Sequence, residues 1–278
     1  MGNILLRETA DQVRDLLGKK LDAITVERAV FGLFFSGVKL SDGQGGLCFT
    51  PVKDIPQAVC CPSSARAMPL SGKLQGRSAT DYLADLENDN ILRKTLAIAT
   101  LNALSASCWK EGAARGYELQ TGVDAFDDVE IPKDGKSVVV GALVPILKRL
   151  IAADADFKVL EMDKHTLKGK ELDHYAPPED SYKYVPDADL LIITGVTVLN
   201  DTLPGLLEMV KPDAQVIVAG PTASMMPDAF FKRGVTMMGG VLVTKPDEVL
   251  DIISEGGSGY HFFGKSAERL VIKAADRT

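Results

Sequence analysis

The chain has 278 residues, 46% of them apolar and 25% charged, which excludes fibrous, collagenous and disordered chains. Thirty-one basic against 38 acidic side chains give a formal charge of −7, and this excludes a generic nucleic-acid binder, which needs a basic face for the phosphate backbone. Gly, Pro or charge interrupts every apolar run before the ~18 residues a membrane helix needs, so no membrane span is expected.

The start, MGNILLRETADQVRDLL, places Arg7, Glu8 and Asp11 where a signal peptide carries its apolar stretch, and Leu6 where a myristoylation signal carries Ser or Thr. A cytoplasmic location is the default expectation. A helix is predicted from Ile4 to Leu17, because Leu6, Ala10, Val13 and Leu17 form one apolar stripe and Gly18 follows as a cap. From Leu21 the run DAITVERAVFGLFFSGVKL reads as two strands, and the turn SDGQGG leads to a third, GLCFTPV, giving an antiparallel meander. Between Thr50 and about Thr80, six Pro and Gly residues from Pro51 to Gly76 break the chain. That stretch is either a functional or mobile loop or an irregular cover over the sheet. Residues 91–108, apolar on nearly every side, predict a helix buried in the core of the first half.

Four cysteines, Cys48, Cys60, Cys61 and Cys108, all lie in this half and two are adjacent. With no secretion signal, they are expected to be reduced thiols.

After Gly122 strand and helix alternate. SVVVG, FKVLEMD, DADLLIITG, AQVIVAG and VTMMGGV are apolar strands, and LVPILKRLIAADA, LPGLLEMVK, MPDAFFKRG and PDEVLDII are the helices between them. Strands of this kind belong to a parallel sheet covered on both faces. The expected fold is α/β, with a smaller α+β meander domain over residues 1–120 and a Rossmann-like domain over 121–278. Residues 137–141, 157–162, 189–194 and 215–219 should share one sheet.

Open parallel sheets bind ligands at the carboxyl ends of their strands. Gly141 ends the first strand just before a helix amino terminus, a place that attracts anions, although a single glycine falls short of the dinucleotide fingerprint. Glu161 ends the second strand 20 residues later, the separation at which nucleotide-binding folds set an acid against ribose hydroxyls; a solvated strand-end carboxylate is the alternative. TGVTVLNDT gathers Thr194, Gly195, Thr197, Asn200 and Thr202, either for a polar ligand or as a cap for the helix starting near Pro204. GPTASMMP adds Gly220, Pro221, Thr222 and Ser224 at the next strand end.

For metals, His165, His174 and His261 fit no zinc template. Cys60-Cys61 suits only a soft or thiophilic ion, and Met225-Met226 and Met237-Met238 read as core. No hydrolase elbow, HExxH or P-loop motif is present, and no catalytic residue is assigned.

The runs LLIITGVTVLNDTLPGLL and VIVAGPTASMMPDAFFKRGVTMMGGVLV, with SVVVGALVPILKRL and the ALNAL helix, resemble the family described as a putative heavy-metal chelation domain. The resemblance implies a Rossmann-like carboxyl-terminal domain preceded by one similar to the amino-terminal domain of enolase, with a cleft between them. It carries Gly141, Glu161, Thr194, Gly195, Asn200, Thr202, Gly220 and Pro221 over as cleft residues, with Asp201 standing where Gly is expected beside Asn200. A heavy-metal ion is the cofactor it suggests. Two functions stay open: a binding protein for a metal or metal complex, and a small-molecule enzyme using a nucleotide-like cofactor such as adenosylmethionine at Gly141 and Glu161. Homo-oligomerisation is left open as well.

Overall fold

The computed structural model describes residues 3–55, 67–68, 70–113, 116–127 and 129–275. Cys60-Cys61 and much of the Pro/Gly-rich stretch between Thr50 and Thr80 lie outside them.

The first helix, α1 (Ile4–Leu17), has the expected bounds: the Asn3 carboxamide accepts from the Leu5 and Leu6 amides, and Gly18, at φ +51°, returns its N–H to the Arg14 carbonyl. The meander follows as β1 (Val26–Phe31), β2 (Phe35–Leu40) and β3 (Gly45–Phe49), antiparallel in that order. After the short α2 (Ala79–Leu83) comes α3 (Ile91–Lys110), whose residues from Lys94 to Cys108 are all buried. Gly46 explains how closely α3 lies on β3: a Cβ there would sit 2.1 Å from the Ala99 carbonyl oxygen.

The second half builds an eight-stranded sheet. Its strands are β4 (Tyr117–Thr121), β5 (Lys136–Val140), β6 (Asp156–Leu160), β7 (Tyr175–Ala176), β8 (Leu190–Thr194), β9 (Gln215–Ala219), β10 (Met237–Val243) and β11 (Ala267–Ala274), in the order β4-β11-β10-β9-β8-β5-β6-β7. The four expected segments share this sheet, and β7 to β10 in that spatial order pair in parallel. Two strands at one side of the sheet went unanticipated: β11 runs antiparallel to β10, and the edge strand β4 antiparallel to β11. β4 joins this sheet although it spans residue 120, where the sequence reading ends the first domain.

Helices α4 (Val144–Ala152), α5 (Ser181–Tyr184), α6 (Val196–Leu199), α7 (Leu203–Glu208), α8 (Asp228–Phe231), α9 (Pro246–Ser254) and α10 (Gly259–Phe262) complete the described fold. Alternation along the strands divides their side chains between two cores. Val139, Val159, Ile192 and Ile217 pack with Ile146, Leu147 and Leu150 of α4. Val138, Leu160, Leu191, Ile193 and Val218 instead share a core with Leu5 and Leu6 of α1, Val38 of β2 and Leu101 of α3. The first half is thus the covering layer for one face of the large sheet, as burial of both faces requires. Among the described residues no helix is long and apolar enough to cross a membrane.

Chain order reverses between β5 and its neighbour β8: β6 and β7 lie to one side, β9 and β10 to the other. Such a switch point leaves a crevice outside the carboxyl ends of the strands.

Candidate functional site

At that crevice the structure has a cavity of about 610 Å³. Gly141 and Ala142 reach it from the end of β5, Glu161 and Met162 from β6, and Thr194 from β8. Thr197, Asn200, Asp201 and Thr202 come from the α6–α7 segment, Gly205, Leu206 and Met209 from α7 and beyond, and Phe49 from β3 of the first half. Six residues expected from the sequence therefore meet on one wall: Gly141, Glu161, Thr194, Thr197, Asn200 and Thr202.

Five expected residues do not line the cavity: Gly195, Gly220, Pro221, Thr222 and Ser224. Gly195 and Gly220 are backbone junctions, donating to the Ala219 and Gly239 carbonyls at 2.8 Å each. The Thr222 hydroxyl accepts from the Phe49 amide at 3.0 Å. The Pro221 and Thr222 carbonyls accept from the Asn102 carboxamide at 3.2 and 3.0 Å. This turn fastens α3 and β3 to the end of β9, and its polar groups are spent inside the protein.

Gly141 sits at φ +95°, and a Cβ there would lie 2.8 Å from Thr194 Cγ2, so only glycine serves between β5 and the cavity. One Glu161 oxygen accepts from the Asp163 amide at 3.0 Å. Asp163 in turn binds Lys53 Nζ at 2.7 Å, and that ammonium holds the Asp163 carboxyl below the usual carboxylate range. In the next loop the Thr197 hydroxyl donates to the Thr194 carbonyl at 2.7 Å and the Thr202 hydroxyl to Asn200 Oδ1 at 2.7 Å. Thr202 does occupy the cap position of α7, but its side chain makes no capping bond; it orders Asn200 instead.

The expectation of an anion-attracting helix terminus behind Gly141 is corrected. The Leu143 and Val144 amides donate to Gly141 and Ala142 carbonyls at 2.9 and 3.0 Å, and the Ile146 and Leu147 amides both donate to Leu143 at 3.1 Å. Pro145 has no N–H. The first turn of α4 has no donor left for an anion.

Asp201 was not anticipated as a cavity residue except as a substitute for glycine. Its φ of +62° is the left-handed conformation glycine favours, and two residues of the first half hold it there. Lys94 Nζ lies 2.5 Å from one carboxylate oxygen and Asn3 Nδ2 lies 2.8 Å from the other. Lys94 is buried, so the pair balances the Asp201 charge. Partners more than a hundred residues away leave no local sequence signal. Phe49, Leu206 and Met209 were missed because each also reads as ordinary core.

Apart from the Met162 and Met209 thioethers on the wall, the soft metal ligands lie elsewhere. The free thiols of Cys48 and Cys108 are buried; burial pushes the Cys48 thiol up strongly and that of Cys108 to about 12, whereas metal binding needs thiolate. His174 stacks on Phe157 at 3.7 Å and His261 accepts from the Ser258 amide. Met225, Met226, Met237 and Met238 are core. Among the described residues no group of three or more His, Cys, Asp or Glu is placed to hold a metal ion.

A family model described as putative heavy-metal chelation, DUF364, matches residues 124–272, more than half of the chain, and a second with the same description, DUF4213, matches residues 14–105. The sequence is 24% identical over 267 residues to an uncharacterised protein of Methanocaldococcus jannaschii, covering 96% of this chain and 97% of that one. Two crystal structures of DUF364 proteins of unknown function share the fold. That from Pyrococcus horikoshii matches 98% of this chain and 100% of its own at 18% identity, with a TM-score of 0.76. That from Desulfitobacterium hafniense matches 96% and 98%, also at 18% identity, with a TM-score of 0.69.

Proposed function

The chain belongs to the DUF364 family, described as putative heavy-metal chelation, and we propose that it is a small-molecule-binding protein that takes a metal only as part of an organic complex. The ligand occupies the cleft at the ends of β5, β6 and β8, between a Rossmann-like unit from about residue 121 and the unit before it. The separate matches at 14–105 and 124–272 support that division.

The cavity carries this reading. Its volume of about 610 Å³ falls in the range of organic ligand sites, as does a mostly apolar wall with a few polar groups. Val140, Leu160, Leu206, Met209 and Phe49 supply that wall, and the carboxylates on it are Glu161 and Asp201. Asp201 is already engaged by Lys94. A soft heavy metal seeks thiolate, thioether or imidazole; the described wall presents no thiolate or imidazole, and its thioethers, Met162 and Met209, have no anionic soft ligand beside them. The donor set does not fit a bare ion; any metal held here brings its other ligands with it.

Gly205 provides the test. It stands exposed at the wall, and nothing lies within 4 Å of a Cβ built there, so Gly205→Phe adds a bulky ring at the cavity without displacing backbone. Free Zn²⁺, Ni²⁺ or Cu⁺ is expected to leave the thermal unfolding of the full chain unchanged, while an organic ligand found by screening raises it in the parent only. Stabilisation of the parent by a free ion, above all one lost in Gly205→Phe, would overturn the proposal.

A further inference from the structure

We infer that the cleft is built for a nucleoside-type ligand, one that presents two adjacent hydroxyls to Glu161 and carries no net negative charge. This rests on the cleft being the ligand site and adds the chemistry of what enters it.

The first observation is the pairing of strand ends. Val140 and Leu160 are partners in the parallel β5–β6 register, so Gly141 and Glu161 leave the sheet side by side, about 5 Å apart by strand spacing. Glu161 Oε1 is oriented by the Asp163 amide at 3.0 Å, and Oε2 has no protein partner among the described residues. A carboxylate only accepts hydrogen bonds. Its two oxygens fit adjacent hydroxyls, the role of an acid at this strand end in nucleotide-binding sheets. Gly141 has no side chain to stand between such a ligand and the backbone.

The second observation is the charge of the wall. Glu161 and Asp201 line it and, among the described residues, no Lys, Arg or His does. Lys94, the nearest buried ammonium, is committed to Asp201 at 2.5 Å. The amides opening α4 are spent on Gly141, Ala142 and Leu143. A phosphate placed here meets two carboxylates with no cation on the wall among the described residues, and the first turn of α4 offers it no free amide. The third observation is the apolar wall of Leu160, Met162, Leu206 and Met209, where thioethers suit the face or edge of a planar base.

Calorimetric titration of the full chain with adenosine, guanosine, cytidine and uridine tests this. At least one nucleoside is expected to bind, and its 2′-deoxy and 5′-monophosphate forms each at least tenfold more weakly. In Glu161→Gln the nucleoside weakens about tenfold, and its advantage over the monophosphate narrows because the repelling charge is gone. A monophosphate that binds as tightly as the nucleoside, a 2′-deoxy form that binds equally, or no nucleoside binding at millimolar concentration overturns the inference. If none binds while another organic ligand is blocked by Gly205→Phe, the inference falls and the cleft stands as the site. Nucleoside binding that survives Gly205→Phe removes both.

Discussion

Two turns of similar composition leave neighbouring strands of one sheet and do different work. The turn after β8 carries Thr194, Thr197, Asn200 and Thr202 and faces the cavity. The turn after β9 carries Thr222 and Ser224, and both are buried. There, Ser224 Oγ donates to the Pro221 carbonyl and accepts from the Val241 amide at 2.8 Å each, while Ser105 Oγ accepts from the Met226 amide at 3.1 Å. Hydroxyls at a strand end therefore mark a site only where their partners leave something unspent. The β9 turn spends its groups in joining the two halves, whereas the β8 turn, whose Thr197 and Thr202 hydroxyls bond within the turn itself, lines the cavity.

Substitutions should separate the joint from the cleft. The largest loss is expected at Asn102, which is buried and whose Nδ2 serves the Leu47, Pro221 and Thr222 carbonyls. Asn102→Ala leaves those acceptors unpaired and should cost about 3 kcal/mol in urea unfolding. A loss no larger than at an exposed position would show that the joint is not held there. Next comes Gly141→Ala, which forces an L side chain to φ +95° and into Thr194; about 2 kcal/mol is expected, read as a lower unfolding midpoint.

Thr222→Val removes the acceptor of the Phe49 amide and should cost about 1 kcal/mol of stability. Asn200→Ala gives the opposite pattern, with stability changed by less than about 0.5 kcal/mol and affinity for any cleft ligand reduced. Equal stability losses at Asn200 and Thr222 would erase the distinction between the two turns.

The smallest effect concerns pH. Glu8 of α1 binds Arg233, just after α8, through two bonds of 2.8 Å, and the guanidinium holds the Glu8 carboxyl below its ordinary value. The unfolded chain then binds the proton more readily. The contribution is present above the unfolded pKa and fades as pH falls through the lower folded one. With both side chains partly exposed, it is worth no more than about 1 kcal/mol. Glu8→Gln should flatten the acid side of the stability profile slightly and leave neutral-pH ligand binding unchanged.

Much of this fold is legible locally. The stripe Leu6, Ala10, Val13 and Leu17 with Gly18 marks α1, and the polarity-free strands before Gly141 and after Asp189 mark the parallel sheet, because burial on both faces leaves no other pattern. Strand β11 was missed because Glu268, Arg269 and Lys273 break its apolar run, as befits a strand with exposed positions. At the site, Glu161 and Gly141 were legible because strand ends and their spacing are sequence properties. The division of labour between Thr197 and Thr222 was not, since it depends on Phe49 and Asn102 from the other half. The same holds for Asp201, whose partners Asn3 and Lys94 are close only after folding.

The central claim is that the cleft takes an organic ligand, with or without a metal, and not a bare ion. Native mass spectrometry of untagged protein, parent beside Gly205→Phe, reads this directly after incubation with the best ligand found by screening and, separately, with free metal ions. The account predicts an added mass equal to the organic ligand or its metal complex in the parent, and none in Gly205→Phe. A stoichiometric bare ion bound by the parent and lost in Gly205→Phe would contradict it.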